Sequence, residues 1–199
     1  TTDVENYPGF PEGIQGPELM QLFRKQAERF GTEMVGEDVT EVDFSKRPFT
    51  IKSAQRKVQA KAVIIATGAT ARRMGVPNEE KMWNNGMSAC AVCDGALPFF
   101  RNQPLLVIGG GDTAVEEADY LTKFGSVVYL VHRRDELRAS KIMQKRAFDN
   151  NKLEIVWDTV LEDAIGEDFV TGARVKNVKS GEVKDIPVAG IFYAIGHTP

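Results

Sequence analysis

Cysteine is nearly absent from this chain, with two in 199 residues, and histidine and tryptophan are equally scarce at two each. So few thiols exclude a disulfide-stapled secreted scaffold. Long apolar runs are also missing. None approaches the ~20 residues that span a bilayer, so no membrane partnership is expected. Positive charge is not in surplus: 25 Lys and Arg face 28 Asp and Glu, a net charge of −3. Phosphate backbones call for a basic face, so nucleic acid is not the expected partner. Thr1 to Asn6 resemble neither a signal nor a transit peptide. There is no fixed-period repeat and no low-complexity segment. What remains, 42% hydrophobic and 27% charged, suits a soluble chain with one or two ordinary cores. Without an initiator Met, and ending just after a hydrophobic strand pattern, the chain is expected to be a piece of something longer.

The pattern along the chain is mixed. Tyr7 to Gly13 is turn-rich. Residues 17–30 predict a helix, with Pro17 in its first turn, Leu19, Leu22, Phe23, Ala27 and Phe30 at helical spacing, and Gly31 closing it. Alternation at Val39, Val42 and Phe44, then Phe49 and Ile51, then Val58 and Ala60, predicts short antiparallel strands. Val63 to Gly68 reads as a fully buried strand ending in a glycine turn, and 74–77 as a linker. A β-α-β unit follows: strand 105–108, helix 113–124 stopped by Gly125, strand 127–131, helix 140–148. That order implies a parallel sheet with a right-handed crossover. Residues 153–188 alternate again as strands, and 191–196 repeats the strand-then-glycine ending.

The strand-to-helix turn Gly109-Gly110-Gly111-Asp112-Thr113-Ala114 carries a dinucleotide fingerprint. Gly109 permits the tight turn, Gly111 lets backbone approach a pyrophosphate, and Ala114 keeps helix and strand close. The helix N-terminus then offers N–H groups to the anion. About 20 residues on, where an NAD site places an acidic residue, stand His132-Arg133-Arg134, with Arg138 one turn further. Guanidinium forks suit a 2′-phosphate, which favours NADPH over NADH. The plainer reading is a solvated basic face paired with Asp135 and Glu136.

The two cysteines lie together as Cys90-Ala91-Val92-Cys93, just ahead of that fingerprint. A nucleotide fold with a lone C-x-x-C points to electron transfer between a nicotinamide and a disulfide. Asp94 suits a proton donor to a departing thiolate, or alternatively the N-cap of the short turn that follows. Zinc is the rival ligand for any C-x-x-C, but four ligands are not at hand, since His132 and His197 belong to other motifs. Two buried structural thiols are the remaining alternative.

Cys90-Ala-Val-Cys-Asp-Gly95, Gly109-Gly-Gly-Asp-Thr-Ala-Val-Glu-Glu117, His132-Arg-Arg-Asp-x-x-Arg138 and Phe192-Tyr-Ala-Ile-Gly-His-Thr-Pro199 occur in order. Together with Val4-Glu5-Asn6 and Ile65-Ala-Thr-Gly-Ala69, they resemble the low-molecular-weight, NADPH-dependent thioredoxin reductases, the fungal and plant branch above all. The resemblance implies an α/β flavoprotein with two dinucleotide-binding domains. A Rossmann-like NADPH domain would be complete and the FAD domain partial. It implies a partial FAD-binding domain over 1–74, an NADPH-binding and redox-disulfide domain over 75–189, and a return strand of the FAD domain over 190–199.

The activity so implied passes electrons from NADPH through FAD and the Cys90–Cys93 disulfide to thioredoxin. Cys93 would lie against the flavin and Asp94 would be the catalytic acid. Asn6, Val39, Thr67 and Gly68 would contact FAD. Gly109, Gly110, Gly111, Asp112, Thr113, Ala114 and Glu116 would hold NADPH, with His132, Arg133, Arg134 and Arg138 clamping its 2′-phosphate. A homodimer and a cytoplasmic setting are expected, a mitochondrial or plastid form also being open. Residues 72–77 and 187–190 would be the two hinge crossings between domains. Two other functions are weighed: a flavin disulfide reductase for another disulfide, and a non-catalytic NADPH-binding module.

Overall fold

A computed structural model describes residues 3–5 and 7–199. The chain divides into two compact units, Thr1–Ala66 and Thr67–Pro199. Among the described residues, no helix is long and apolar enough to cross a membrane.

The first unit opens with a small antiparallel pair, β1 (Asp3–Val4) and β2 (Ile14–Gln15), followed by α1 (Gly16–Arg29). Pro17 sits where a helix has no use for its missing N–H, as expected. A three-stranded antiparallel sheet follows: β3 (Val39–Asp43), β4 (Phe49–Ser53) and β5 (Lys57–Ala60). All five residues of β3 are exposed.

The expected buried strand at 63–68 is not formed. These residues have no regular structure, and Ile64 and Ile65 are 91% and 70% exposed. A continuous apolar run becomes a buried strand only when flanking strands complete its hydrogen bonds, and no described segment pairs with it.

The second unit contains β6 (Thr70–Ala71), α2 (Glu79–Met82), β7 (Met87–Ser88), α3 (Ala91–Asp94) and β8 (Leu105–Gly109). Then come α4 (Asp112–Leu121), β9 (Val128–Val131), α5 (Lys141–Asp149) and β10 (Leu153–Val156). The chain continues through β11 (Thr159–Gly166), β12 (Val170–Asn177), β13 (Val183–Ile186), β14 (Gly190–Ala194) and β15 (His197–Thr198). Its centre is a parallel five-stranded sheet in the order β10-β9-β8-β14-β7.

Side chains alternate across this sheet, so each strand feeds two cores. From β8, Leu105 and Val107 join Ala114, Val115, Ala118 and Leu121 of α4 on one face. Leu106 and Ile108 join Leu161, Ala173 and Val175 of the antiparallel β11-β12-β13 sheet on the other. A parallel sheet covered on both faces explains why its strands read as unbroken apolar runs.

The last strands correct the expected layout. β14 is not a return strand of another domain; it fills the central sheet between β8 and β7. Phe192 packs into the helix-side core, and Ile191 and Tyr193 into the opposite one. Residues 187–190 therefore join β13 to β14 inside one unit, with Val188 buried, and are not a hinge crossing. Residues 72–77 make local contacts with the start of the second unit's first helix. The buried Glu79 carboxylate accepts from Met74 N–H (2.9 Å), Gly75 N–H (3.0 Å) and Tyr193 Oη–H (2.9 Å). Beside this segment β6 and β15 form a two-stranded antiparallel ribbon.

Candidate active site

β7 emerges from the edge of the parallel sheet and leads into the single turn α3. Cys90 caps that turn: its Sγ accepts from Cys93 N–H at 3.2 Å. Cys90 and Cys93 are bonded as a disulfide with Cα atoms 5.3 Å apart. Bonded to each other, they are neither zinc ligands nor a pair of inert buried thiols. Cys93 is exposed and Cys90 half-buried, so the bond is reachable from solvent.

Asp94, the last residue of α3, is not an N-cap. Its Oδ2 accepts a 2.5 Å hydrogen bond from Ser88 Oγ, and Ser88 Oγ in turn accepts from Cys90 N–H at 3.0 Å. Ser88 is 5% exposed, so sheet, disulfide and carboxylate are linked through one buried hydroxyl. A small cavity of about 50 Å³ lined by Ser88, Asp94, Leu97 and Phe100 lies beside this group. Sequence reasoning missed Ser88: a serine two residues before a cysteine carries no pattern until the turn folds it back.

Behind α3 lies α4, the helix that follows the glycine loop. A Cβ on Gly109 would stand 2.5 Å from Ala114 Cβ and 2.6 Å from the Ala194 carbonyl, so helix and strands close to a distance only glycine allows. A Cβ on Gly110 would overlap the buried ring of His132. A Cβ on Gly111 would meet nothing within 4 Å. The loop is thus sealed beneath and open at Gly111, beside the first turn of α4, a cradle a pyrophosphate fits.

The other fingerprint residues divide. Ala114 is buried, while Thr113 and Glu116 are exposed. Asp112 Oδ1 is committed to Ser140 N–H at 2.5 Å, where it ties α4 to the start of α5. Glu117, passed over in favour of Glu116, is the half-buried member: its Oε2 has no hydrogen-bond partner, and burial, with Glu116 adding repulsion, pushes its carboxyl up to about 7. Helical spacing, three residues after Ala114 and four before Leu121, could have placed it on the inner face.

The arginine segment is docked onto this loop. Arg138 and Ala139 N–H both donate to the Gly110 carbonyl (2.8 and 3.1 Å). His132 lies 5% exposed beneath Gly110, and burial holds its imidazole below the usual value, so it is neutral near pH 7. It packs the loop and adds no charge for a phosphate. Arg133, Arg134 and Arg138 are exposed, and among the described residues none of them makes an ion pair. Asp135 is taken by Lys179 instead, at 2.8 Å. A self-neutralised basic face is therefore not what forms.

Val39 is 58% exposed in the first unit. Thr67 and Gly68 are exposed in the second, and Gly68 adopts φ +75° with nothing within 4 Å of a built Cβ. Asn6 lies outside the described residues.

The family model for pyridine nucleotide-disulphide oxidoreductases matches residues 1–199. The chain belongs to this family.

Relatives agree with that assignment. A mitochondrial thioredoxin reductase of Arabidopsis thaliana is 55% identical over all of this chain and 55% of its own length. Thioredoxin reductase 1 of Saccharomyces cerevisiae is 54% identical, over 100% of this chain and 64% of its own. Among solved structures, a thioredoxin reductase from Giardia duodenalis superposes with a TM-score of 0.84 at 43% identity, over 98% of this chain and 63% of that one. The chain thus spans between half and two thirds of these relatives.

Proposed function

We propose that this chain is the nicotinamide- and disulfide-bearing part of a thioredoxin reductase, which passes electrons from NADPH, by way of FAD, to the Cys90–Cys93 disulfide and on to thioredoxin. One observation carries the reading. A solvent-accessible disulfide at a helix start, with a carboxylate fixed one residue away, is built on the same unit as an open glycine loop and three uncommitted arginines.

NADPH is the nucleotide these residues fit. Gly109 to Ala114 would receive its pyrophosphate, with Thr113 and Glu116 at the start of the helix, and Arg133, Arg134 and Arg138 would fork onto its 2′-phosphate. FAD, when bound, supplies the two-electron link between the nicotinamide and the disulfide. Val39, Thr67, Gly68 and Cys93 are the described residues assigned to it, and the open left-handed backbone at Gly68 leaves room for close approach. On reduction the S–S bond takes up two electrons and, in all, two protons, and becomes two thiols. Asp94, steadied by Ser88, is the proposed carrier of a proton to the departing thiolate. The dithiol then exchanges with the disulfide of thioredoxin, which leaves as a dithiol while Cys90–Cys93 re-forms.

Domain boundaries near 74 for the FAD-binding part and 75 onward for the NADPH part go with this reading. So do a homodimer and a cytoplasmic setting, supported by the family resemblance alone. The test is the visible spectrum of the full-length protein. A flavin band that bleaches with NADPH and returns on adding oxidised thioredoxin is expected. A colourless protein that binds NADPH without oxidising it would overturn the reading.

A further inference from the structure

The segment from Arg133 to Arg138 carries its own potential inhibitor. Asp135 sits directly after Arg134, and a free carboxylate there would pair with a neighbouring guanidinium or repel an incoming phosphate. The fold prevents this from a distance in sequence. Lys179, on the turn between β12 and β13, places its Nζ 2.8 Å from Asp135 Oδ2 and 3.0 Å from Asp158 Oδ2.

The ammonium is well presented. Asn177 Oδ1 accepts from Lys179 N–H and Ser180 N–H, both at 2.9 Å, and fixes the turn. The three segments that meet here are also tied by backbone: Asp158 N–H to Arg134 O (3.1 Å), Thr159 N–H to His132 O (2.9 Å) and Val178 N–H to Asp158 O (2.6 Å). The charges respond to one another, the Asp135 carboxyl being held below and the Lys179 ammonium above their usual values by their mutual hydrogen bond. Meanwhile Arg133, Arg134 and Arg138 remain without ion pairs among the described residues.

We propose that Lys179 is a specificity-determining positioning residue: by holding Asp135 it keeps the three arginines uncommitted for a nucleotide 2′-phosphate. This rests on the NADPH reading above. An exposed ion pair adds little to stability, so the effect belongs to recognition, where a misplaced like charge weakens the phosphate-bearing ligand and spares the one without it.

The test compares binding of 2′,5′-ADP and 5′-AMP, which differ only in the 2′-phosphate, to the full-length flavoenzyme by titration calorimetry. In K179A the preference for 2′,5′-ADP should fall roughly 3- to 10-fold, with 5′-AMP binding changed less than about twofold. K179R should keep the preference, and K179A/D135N should regain it, because the two sites are coupled through one charge pair. An unchanged preference in K179A, an equal loss for both nucleotides, or no recovery in K179A/D135N would overturn the proposal while leaving the NADPH reading intact. A wild-type enzyme with no preference for 2′,5′-ADP would overturn that reading itself, and the proposal with it.

Discussion

Ser88 Oγ donates to Asp94 Oδ2 at 2.5 Å while accepting from Cys90 N–H at 3.0 Å, so one hydroxyl orients both the carboxylate and the start of the disulfide turn. Ser88→Ala removes both bonds in a buried place. It should cost about 1–3 kcal/mol of stability and slow disulfide turnover roughly 10- to 100-fold, with the apparent constant for NADPH unchanged. Ser88→Thr, which keeps the hydroxyl, should restore most of the rate. A parallel loss of NADPH affinity in Ser88→Ala would show general damage instead.

The glycine loop offers a second test. At Gly110 an added Cβ overlaps the ring of His132, which is buried and has nowhere to go. Gly110→Ala should therefore push the ring, and with it the arginine segment hydrogen-bonded to the Gly110 carbonyl, out of place. Overpacking of this kind costs about 1–3 kcal/mol. Thermal unfolding should show that loss, and NADPH affinity should drop with it. Gly111→Ala, where a Cβ meets open space, should leave stability nearly unchanged but still weaken binding by crowding the pyrophosphate. Unchanged binding in both variants would remove the loop from the site.

Glu117 makes a prediction in pH. Burial raises its carboxyl from an ordinary 4.5 to about 7, so the folded state holds its proton more tightly than the unfolded chain does. Such a group leaves stability intact below about pH 4.5 and erodes it as pH rises through about 7. Glu117→Gln keeps the shape without the charge. It should stabilise the protein by about 1 kcal/mol at pH 8, a value reduced for partial exposure, and by almost nothing at pH 4.5. A difference between the two proteins that does not vary with pH would show that Glu117 is solvated in the fold.

What could be read from residues alone follows a physical line. The succession β8, α4, β9 was legible because a doubly covered parallel strand is written as an apolar run, and its glycine turn and helix follow in local order. The same kind of run at 63–68 misled, since burial depends on neighbouring strands that local composition does not name, and Ile64 stands 91% exposed. The place of β14 was illegible for a related reason: order within a sheet is a long-range property. Among the candidate site residues, the cysteines and arginines stand out by spacing. Ser88 and Lys179 have partners made adjacent only by folding, and Lys179 reaches Asp135 across 44 positions, whereas Glu117 was open to helical spacing alone.

The sheet order also bears on how the protein is made. β7, the strand that carries Ser88 and leads to Cys90, has β14 as its sheet neighbour, and β14 is synthesised roughly a hundred residues later. At ribosomal speeds the nascent chain holds its two sulfurs without that scaffold for roughly 5–20 s. Throughout that interval the segment that carries the pair lacks the strand that completes its edge of the sheet. Only when residues 190–194 slot in beside 87–88 does the strand that leads into the pair gain its place in the sheet.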